Sequence, residues 1–185
     1  MIPAWIDGVL TPVEKLKAHQ RGLRHRAISV FVMDGDAVLL QQRALGKYHT
    51  PGLWTNTCCT HPHWGEDGLD CAVRRLSEEL GIVGVTPEFQ LTAEYRAPVG
   101  GGLIEHEVVE IYTAPADRDL TLSLNPDEVA AVRWVSLPAL RAEVADHPDH
   151  FTPWLRIYLD RHATSIFGQL ADRSDPAQLR SSEAI

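Results

Sequence analysis

The chain has 185 residues, of which 44% are hydrophobic and 23% charged, and its formal net charge is −8 at pH 7. Length and composition are typical of one soluble globular domain, and the negative charge argues against nucleic acid or an anionic membrane as a partner. The chain has three cysteines, and two of them, Cys58 and Cys59, are adjacent. It shows no signal-peptide pattern and no apolar run of the roughly 20 residues that a membrane span needs. These features predict a cytoplasmic protein without disulfides.

The first 26 residues contain a weak strand pattern followed by a basic segment. Residues 1–10 predict a short strand and a turn. Residues 15–26 interleave five basic residues with two histidines, namely Lys15, Lys17, Arg21, Arg24 and Arg26 with His19 and His25. Taken alone, a run of charge like this favours a solvated basic loop.

A hairpin is predicted next, because residues 27–33 and 37–42 are apolar and rich in β-branched side chains and flank an Asp-Gly-Asp turn. Arg43 follows the second strand, and Lys47 lies in the loop after it. Further along, 69–80 is predicted to be a helix, since Leu69, Val73, Leu76 and Leu80 recur at helical spacing. Gly81 is a typical C-terminal stop for that helix.

The second half of the chain predicts strands over 89–97 and 103–114, joined by a glycine-rich turn. Because side chains alternate along a strand, we expect Glu105 and Glu107 to share one face. Strands are also predicted over 120–124 and 129–135, and a helix over 137–145. A last long helix is predicted to begin at Thr152 and to supply apolar surface from Trp154, Leu155, Ile157, Tyr158, Leu159 and Ile166. We expect one domain over 1–172 and a disordered tail over 173–185.

The segment from Glu66 to Ile82 resembles the signature box of the Nudix superfamily. Its core reads RRLSEELGI over 74–82, so Glu78 and Glu79 are kept, while Arg75 stands where the box has its first clustered glutamate. A Nudix hydrolase needs those carboxylates together to hold Mg²⁺. An arginine there leaves the hydrolytic metal cage incomplete, although an ordinary ion pair with Glu79, four residues on, would also explain it.

A second signature precedes the box: WTNTCCTHP over 54–62 resembles the corresponding motif of type 1 isopentenyl-diphosphate delta-isomerases, which have the Nudix fold. The resemblance covers roughly 15–154. It implies an α/β (α+β) architecture, a mixed β-sheet flanked by helices in a single domain. It also implies an enzyme of isoprenoid precursor biosynthesis that shifts the double bond between isopentenyl and dimethylallyl diphosphate by protonation and deprotonation.

A metal site is a separate hypothesis from the residue types. His61 with Glu105 and Glu107 would give three ligands from two strands, and His19 and His25 could complete the set. Mixed imidazole and carboxylate ligands suit Mn²⁺, Zn²⁺, Fe²⁺ or Mg²⁺. Sequence alone does not show that the five converge; the isomerase resemblance implies that they do, as a three-histidine, two-glutamate site for Mn²⁺, Mg²⁺ or Zn²⁺.

The resemblance also implies the remaining roles. Cys59 and Glu107 would be the acid and base on opposite sides of the substrate, with Tyr95 as a proton relay and Trp154 facing a carbocation. Lys15, Arg43, Lys47 and Arg75 would bind the diphosphate, and Glu79 would hold a Mg²⁺ ion that bridges to it. His63 and His106 receive no role. The alternatives are a Nudix hydrolase of a nucleoside or prenyl diphosphate and a non-enzymatic Nudix-fold binding module; the oligomeric state stays open.

Overall fold

The computed structural model of the chain describes residues 1–168 and residue 170, which form groups of strands separated by helices. The strands are β1 (Ile2–Ile6), β2 (Val9–Val13), β3 (His25–Asp34), β4 (Ala37–Arg43), β5 (Trp54–Thr55), β6 (Cys58–Thr60), β7 (Glu88–Pro98), β8 (Ile104–Pro115) and β9 (Val129–Ser136). The helices are α1 (Lys15–Arg21), α2 (Gly68–Leu80), α3 (Leu137–Asp146), α4 (Pro153–Arg161) and α5 (Ala163–Phe167), with a 3₁₀ turn over Pro148–His150. None of these helices is long and apolar enough to span a bilayer.

Strand β3 organises a mixed sheet, because it pairs in parallel with β8 and antiparallel with β6. β8 pairs antiparallel with β7, while β4 pairs with β9 and β5. The N-terminal hairpin of β1 and β2 joins β3 through a single register position, Ala4 opposite His25. The turn between β3 and β4 lies where the sequence predicted it, but the two strands form backbone pairs only next to that turn.

Helices cover the sheet on both faces, and each face has its own apolar core. On one face, Ile28, Val30 and Val32 of β3 pack in a cluster with Leu76 and Leu80 of α2. On the other, alternate residues of β3 and β8 pack in a cluster with α4 and α5; Phe31, Ile111, Leu155, Tyr158 and Phe167 belong to it. This alternation follows the two-residue period of a strand, and it confirms the predicted mixed sheet flanked by helices.

Helix α1 corrects the expectation of a solvated basic loop. Glu14 caps its N-terminus by accepting hydrogen bonds from the backbone N–H groups of Leu16 and Lys17, and Gly22 ends it in the left-handed conformation, with φ of 57°. One face of the helix buries Ala18 and His19 completely. The basic residues of this segment hide the burial in the sequence pattern.

Helix α2 has the predicted extent, but its buried face is not the predicted one. Leu76 and Leu80 are fully buried, whereas Leu69 and Val73 are 40% and 48% exposed; Cys71, Ala72 and Glu79 are buried instead. Small side chains at 71 and 72 let the helix pack closely on β3 and β6. The helix ends at Gly81, where an added Cβ would lie 2.7 Å from the Cβ of Ser123.

The loop over 120–124 is not the predicted strand. Its backbone N–H at Ser123, and that of Asn125 just beyond it, donate to the carbonyls of Leu80 and Glu79 at 2.8 and 2.9 Å. The segment thus satisfies the free carbonyls at the end of α2 rather than joining the sheet. The last helix is also shorter than predicted, since it ends at Arg161 and Ile166 belongs to α5. The predicted tail at 173–185 lies outside the described residues.

Candidate active site

A cavity at one end of the sheet brings together most of the residues singled out in the sequence. It is lined by Lys15, Gln41, Arg43, Lys47, His49, Cys59, Thr60, His61, Arg75, Glu79, Glu105, Glu107, Glu128 and Trp154. Of the predicted site residues, His19, His25 and Tyr95 do not line the cavity, but each contacts Glu105 or Glu107, which do. Cys59 and Glu107 therefore open onto the same space.

Strand register explains this convergence. His25 of β3 and Tyr95 of β7 both lie opposite Glu107 of β8, and Ser29 of β3 lies opposite Cys59 of β6. Because residues two apart on a strand share a face, Glu105, His25 and Ser29 project to the same side as these partners. Four adjacent strands thus deliver an imidazole, two carboxylates, a phenol and a thiol to one side of the sheet.

Three histidines surround the Glu105 carboxylate. Oε2 of Glu105 lies 3.0 Å from Nε2 of His19 and 3.3 Å from Nε2 of His25, while Nε2 of His25 is 3.1 Å from Nε2 of His61. One potential ligand atom from each of these four residues lies within 4.8 Å of the other three. Glu107 lies just outside this tight group, with Oε1 3.1 Å from Nε2 of His61.

The tautomers of this cluster favour a cation over an internal hydrogen-bond network. Nδ1 of His19 donates to the Lys15 carbonyl at 2.6 Å, and Nδ1 of His25 donates to the Leu23 carbonyl at 2.7 Å. Their Nε2 atoms are then unprotonated acceptors that face other acceptors, and Nε2 of His19 has no hydrogen-bond partner among the described residues. Backbone carbonyls that fix the far ring nitrogen are the usual support of metal-bound histidines, so the four residues fit a divalent metal ion.

The pKa values of the two buried glutamates are shifted in opposite directions. Burial alone would raise the pKa of Glu105, but the four histidine side chains around its carboxylate hold that pKa well below its usual range. Burial and the nearby Glu105 charge raise the pKa of Glu107 well above its usual range. Oε2 of Glu107 accepts a hydrogen bond of 2.6 Å from the Tyr95 hydroxyl. Glu107 is therefore placed to hold or to release a proton.

The environment of Cys59 favours the protonated thiol over the thiolate. Burial raises the pKa of Cys59, and the nearby Glu107 charge raises it further. Its Sγ lies 2.6 Å from the Ser29 hydroxyl and 3.4 Å from Oδ1 of Asn56. A thiol held in its neutral form can donate its proton, and the thiolate that this leaves needs stabilisation from its surroundings.

Positive side chains also line the cavity, namely Lys15, Arg43, Lys47 and Arg75. Arg75 contacts Glu79 at 2.6 Å and Glu128 at 3.1 Å through Nη2, and Lys47 pairs with Glu128. Burial lowers the pKa of Lys15, and the neighbouring Lys47 lowers it further. This cationic group is well suited to an anion that could replace the carboxylates as its partner.

Trp154 supplies a large aromatic side chain to the lining of the cavity. Its indole Nε1 donates to the Thr55 hydroxyl at 2.7 Å, and the Arg43 guanidinium lies 5.3 Å from the centre of its ring. The hydrogen bond fixes the orientation of the indole at the start of α4. Helix α4 therefore supplies an immobilised aromatic surface beside Cys59 and Glu107.

The clustered glutamates of the Nudix box do not converge here. Glu66 is held by Arg74 at 2.6 and 2.8 Å, and Glu78 pairs with Arg74 and Arg75 at the helix surface. Only Glu79 of the three lines the cavity, and Arg75 lies directly against it. The carboxylate cage that a hydrolase of this fold requires is thus not assembled.

Sequence reasoning missed several residues that contact the site. Nε2 of His49 lies 3.1 Å from Oε1 of Glu105, and Glu128 pairs with both Lys47 and Arg75. Ser29 and Tyr158 lie behind Cys59. His49 is the one with a visible signal, since a histidine two residues before the PGLWTN stretch is close in sequence to the predicted site. Glu128 and Ser29 resemble ordinary surface and strand residues, and Tyr158 matched the apolar side of the last helix.

Comparison with known proteins agrees with this geometry. The NUDIX domain family matches residues 23–155. Among solved structures, a MutT NUDIX hydrolase from Burkholderia pseudomallei superimposes with a TM-score of 0.57 and 23% identity over 75% of this chain and 98% of its own. That likeness shows the fold, and together with the family match it makes this a Nudix-domain protein.

Curated relatives define the family more narrowly. An isopentenyl-diphosphate Delta-isomerase of Cereibacter sphaeroides is 65% identical over 170 residues, which cover 92% of this chain and 96% of the relative. The enzyme of that name from Roseobacter denitrificans is 64% identical over 92% of this chain and 97% of its own. The chain belongs to the isopentenyl-diphosphate Delta-isomerase family.

Proposed function

We propose that the chain interconverts isopentenyl diphosphate and dimethylallyl diphosphate by moving one proton onto and another off the isoprene unit, in the cytoplasm. The observation that carries this proposal is that Cys59 and Glu107 line the same cavity as four cationic side chains, those of Lys15, Arg43, Lys47 and Arg75. An acid and a base on either side of a flat hydrocarbon, with an anion-binding group beyond them, match the two halves of such a substrate.

Cys59 and Glu107 would transfer the protons. The thiol and the carboxyl each hold or accept one proton, and positioned groups of this kind typically contribute about 10²–10⁴-fold in rate. Tyr95, which donates to Glu107, would relay or retain a proton on that side. Trp154 would stabilise positive charge on the tertiary carbon by roughly 0.5–2 kcal/mol through its ring face.

His19, His25, His61, Glu105 and Glu107 would hold a divalent metal ion, with Mn²⁺, Mg²⁺ and Zn²⁺ as the candidates that suit these ligands. When bound there, the ion supplies positive charge that favours the ionised form of both carboxylates. The support for this assignment is the convergence of acceptor atoms around Glu105, together with the unpartnered Nε2 of His19.

His49 gives a test of that centre. Replacing His49 by alanine removes the hydrogen-bond partner of Oε1 of Glu105, so the carboxylate loses its fixed orientation. We expect metal affinity, measured by chelator competition with Mn²⁺ or Zn²⁺, to fall about 10- to 100-fold. The matched control is His63→Ala, since the side chain of His63 is 68% exposed. Equal affinities in the two variants would contradict the role.

Lys15, Arg43, Lys47 and Arg75 would bind the diphosphate, and a Mg²⁺ ion held by Glu79 would supply further charge neutralisation when bound. Glu128 pairs with Lys47 and Glu79 pairs with Arg75, so two of these cations already have carboxylate partners. Substrate binding would then exchange carboxylate partners for phosphate oxygens.

Arg75→Glu is expected to weaken binding of isopentenyl diphosphate by at least tenfold, because it replaces a phosphate ligand with a charge that repels phosphate. Since this change also places a carboxylate beside Glu79 and Glu128, Arg75→Gln is the milder companion and should show a smaller loss. Calorimetric titration in the presence of Mg²⁺ measures both. Arg74→Gln is the control, because the Arg74 guanidinium is held by Glu66. A gain of affinity in Arg75→Glu would contradict the assignment.

One experiment separates the isomerase from the alternatives. The protein is incubated with isopentenyl diphosphate, Mg²⁺ and Mn²⁺ in D₂O, and products are followed by proton NMR and by assay of free phosphate. Deuterated dimethylallyl diphosphate without phosphate release supports the isomerase. Phosphate release would support a hydrolase, and tight binding without reaction a binding module; either result overturns the proposal.

A further inference from the structure

Two hydroxyl groups, those of Ser29 and Tyr158, form a hydrogen-bonded chain with Cys59. Neither residue lines the cavity, and the proposed reaction gives them no role. Oγ of Ser29 is 2.6 Å from Sγ of Cys59 and 3.0 Å from the Tyr158 hydroxyl. Ser29 and Tyr158 are both fully buried. Ser29 lies in the middle of β3 among apolar residues, where a hydroxyl without a partner would be costly.

The direction of donation along this chain follows from Asn56. Nδ2 of Asn56 donates to the carbonyls of Val30 and Cys58 at 3.1 and 2.9 Å, so its Oδ1 must be the atom that faces Cys59. Because Oδ1 only accepts, the thiol hydrogen of Cys59 points to Asn56. Ser29 must then donate its hydroxyl hydrogen to Sγ, and Tyr158 must donate its own to Ser29.

We propose that Ser29, supported by Tyr158, is a positioning residue that donates a hydrogen bond to the sulfur of Cys59 and stabilises it while its proton is on the substrate. The inference rests on the proposed isomerase function. When the S–H bond breaks and the proton forms a C–H bond at an alkene carbon, the bonding electron pair stays on sulfur as a thiolate. In the reverse direction that electron pair takes a proton back from carbon.

The Ser29 proton stays on its oxygen throughout, so no additional reactant is needed. What changes is the strength of the hydrogen bond, since a bond to a charged acceptor is roughly twice as strong as a neutral one. Stabilisation is therefore larger after proton transfer than before it, which is the condition for accelerating the chemical step rather than tightening binding.

The first test reads the thiol directly and needs no turnover. The S–H stretching band of Cys59, identified as the band that Cys59→Ala removes, is compared in the native protein, Ser29→Ala and Tyr158→Phe by infrared spectroscopy. We expect a shift to higher frequency in Ser29→Ala and a smaller shift in Tyr158→Phe. An unchanged band in Ser29→Ala would overturn the inference even if the chain were a fully active isomerase.

The second test uses isomerase kinetics. We expect kcat to fall about 10- to 100-fold in Ser29→Ala, as for loss of a hydrogen bond to a charged group, and about two- to tenfold in Tyr158→Phe, as for a neutral one. KM should stay within twofold, and the double variant should be no slower than Ser29→Ala, because Tyr158 acts through Ser29. Additive losses, or a loss confined to KM, would overturn the inference.

Thr57→Val is the matched control. Thr57 carries another buried hydroxyl near Cys59, which donates to the Leu39 carbonyl and accepts from the backbone N–H of Val32. Losing it should lower the melting temperature and leave kcat and the S–H band unchanged. If Thr57→Val reproduced the kinetic and spectroscopic changes of Ser29→Ala, the effect would be one of packing and the inference would fail. An inactive native protein with the expected band shifts would instead overturn the proposed function alone.

Discussion

Cys59→Ala is expected to lower the isomerisation rate by roughly 10²–10⁴-fold, the usual contribution of a positioned acid or base. The physical reason is that alanine can neither give a proton to the substrate nor accept one from it, and among the described residues Cys59 supplies the one thiol that lines the cavity. The rate is measured by proton NMR with isopentenyl diphosphate in excess. Metal content and thermal unfolding should match those of the native protein. Cys59 is only partly buried, and its hydrogen bonds are to Ser29 and Asn56 rather than to Glu105 or the histidines around it.

Cys58→Ala is the control for that variant. Cys58 is fully buried on the opposite face of the sheet, where it packs in the cluster of α2, and burial raises its pKa well above the usual range. Truncating it should reduce stability by about 1 kcal/mol, as for other small losses of buried volume, with kcat unchanged within about twofold. Slight and equal effects of the two substitutions would remove the thiol from the mechanism.

Much of the fold could be predicted from the sequence, because its strongest signals are local. The β3–β4 turn, the β7–β8 hairpin and the end of α2 at Gly81 are encoded in turn residues and alternation over short stretches. The face of α2 was predicted wrongly at Leu69 and Val73, since helical spacing alone does not tell which of two overlapping apolar stripes meets the sheet.

The site was predictable only where a motif marked it. Residues 54–62 and the acidic strand β8 drew attention to Cys59, His61, Glu105 and Glu107. Their meeting depends on the parallel pairing of β3 with β8, which joins residues about 80 positions apart, and no local pattern encodes that register. His19 was named as a possible metal ligand, but its burial was not predicted, because a charged segment gave no hint that one helix face would be buried.

The residues that support the site were the hardest to find. Tyr158 matched the apolar stripe of the last helix, and its packing there is as expected, but its hydroxyl reaches Ser29 across the core. Ser29 resembled an ordinary polar interruption of β3. Such roles depend on one hydrogen bond across distant parts of the chain, and sequence spacing carries no information about it.

Glu107→Gln is expected to be as damaging as the loss of Cys59, again by roughly 10²–10⁴-fold in kcat. The amide keeps the size of the side chain and an oxygen that can still accept from Tyr95, so packing should be preserved. It cannot take up a proton at neutral pH, however. Glu110→Gln is the control: Glu110 lies three residues along β8, where it pairs with Arg26 and Tyr112 outside the cavity.

Deuterium exchange in Glu107→Gln would also show which end of the substrate Cys59 serves. If the thiol can still protonate and deprotonate one carbon while the opposite transfer is blocked, isopentenyl or dimethylallyl diphosphate recovered from D₂O should gain deuterium at that carbon without isomerising. Metal content, measured on the same samples, separates this effect from loss of a ligand. A variant that retained its metal and turned over within tenfold of the native rate would exclude Glu107 as a proton-transfer group, because no amide could replace it in that role.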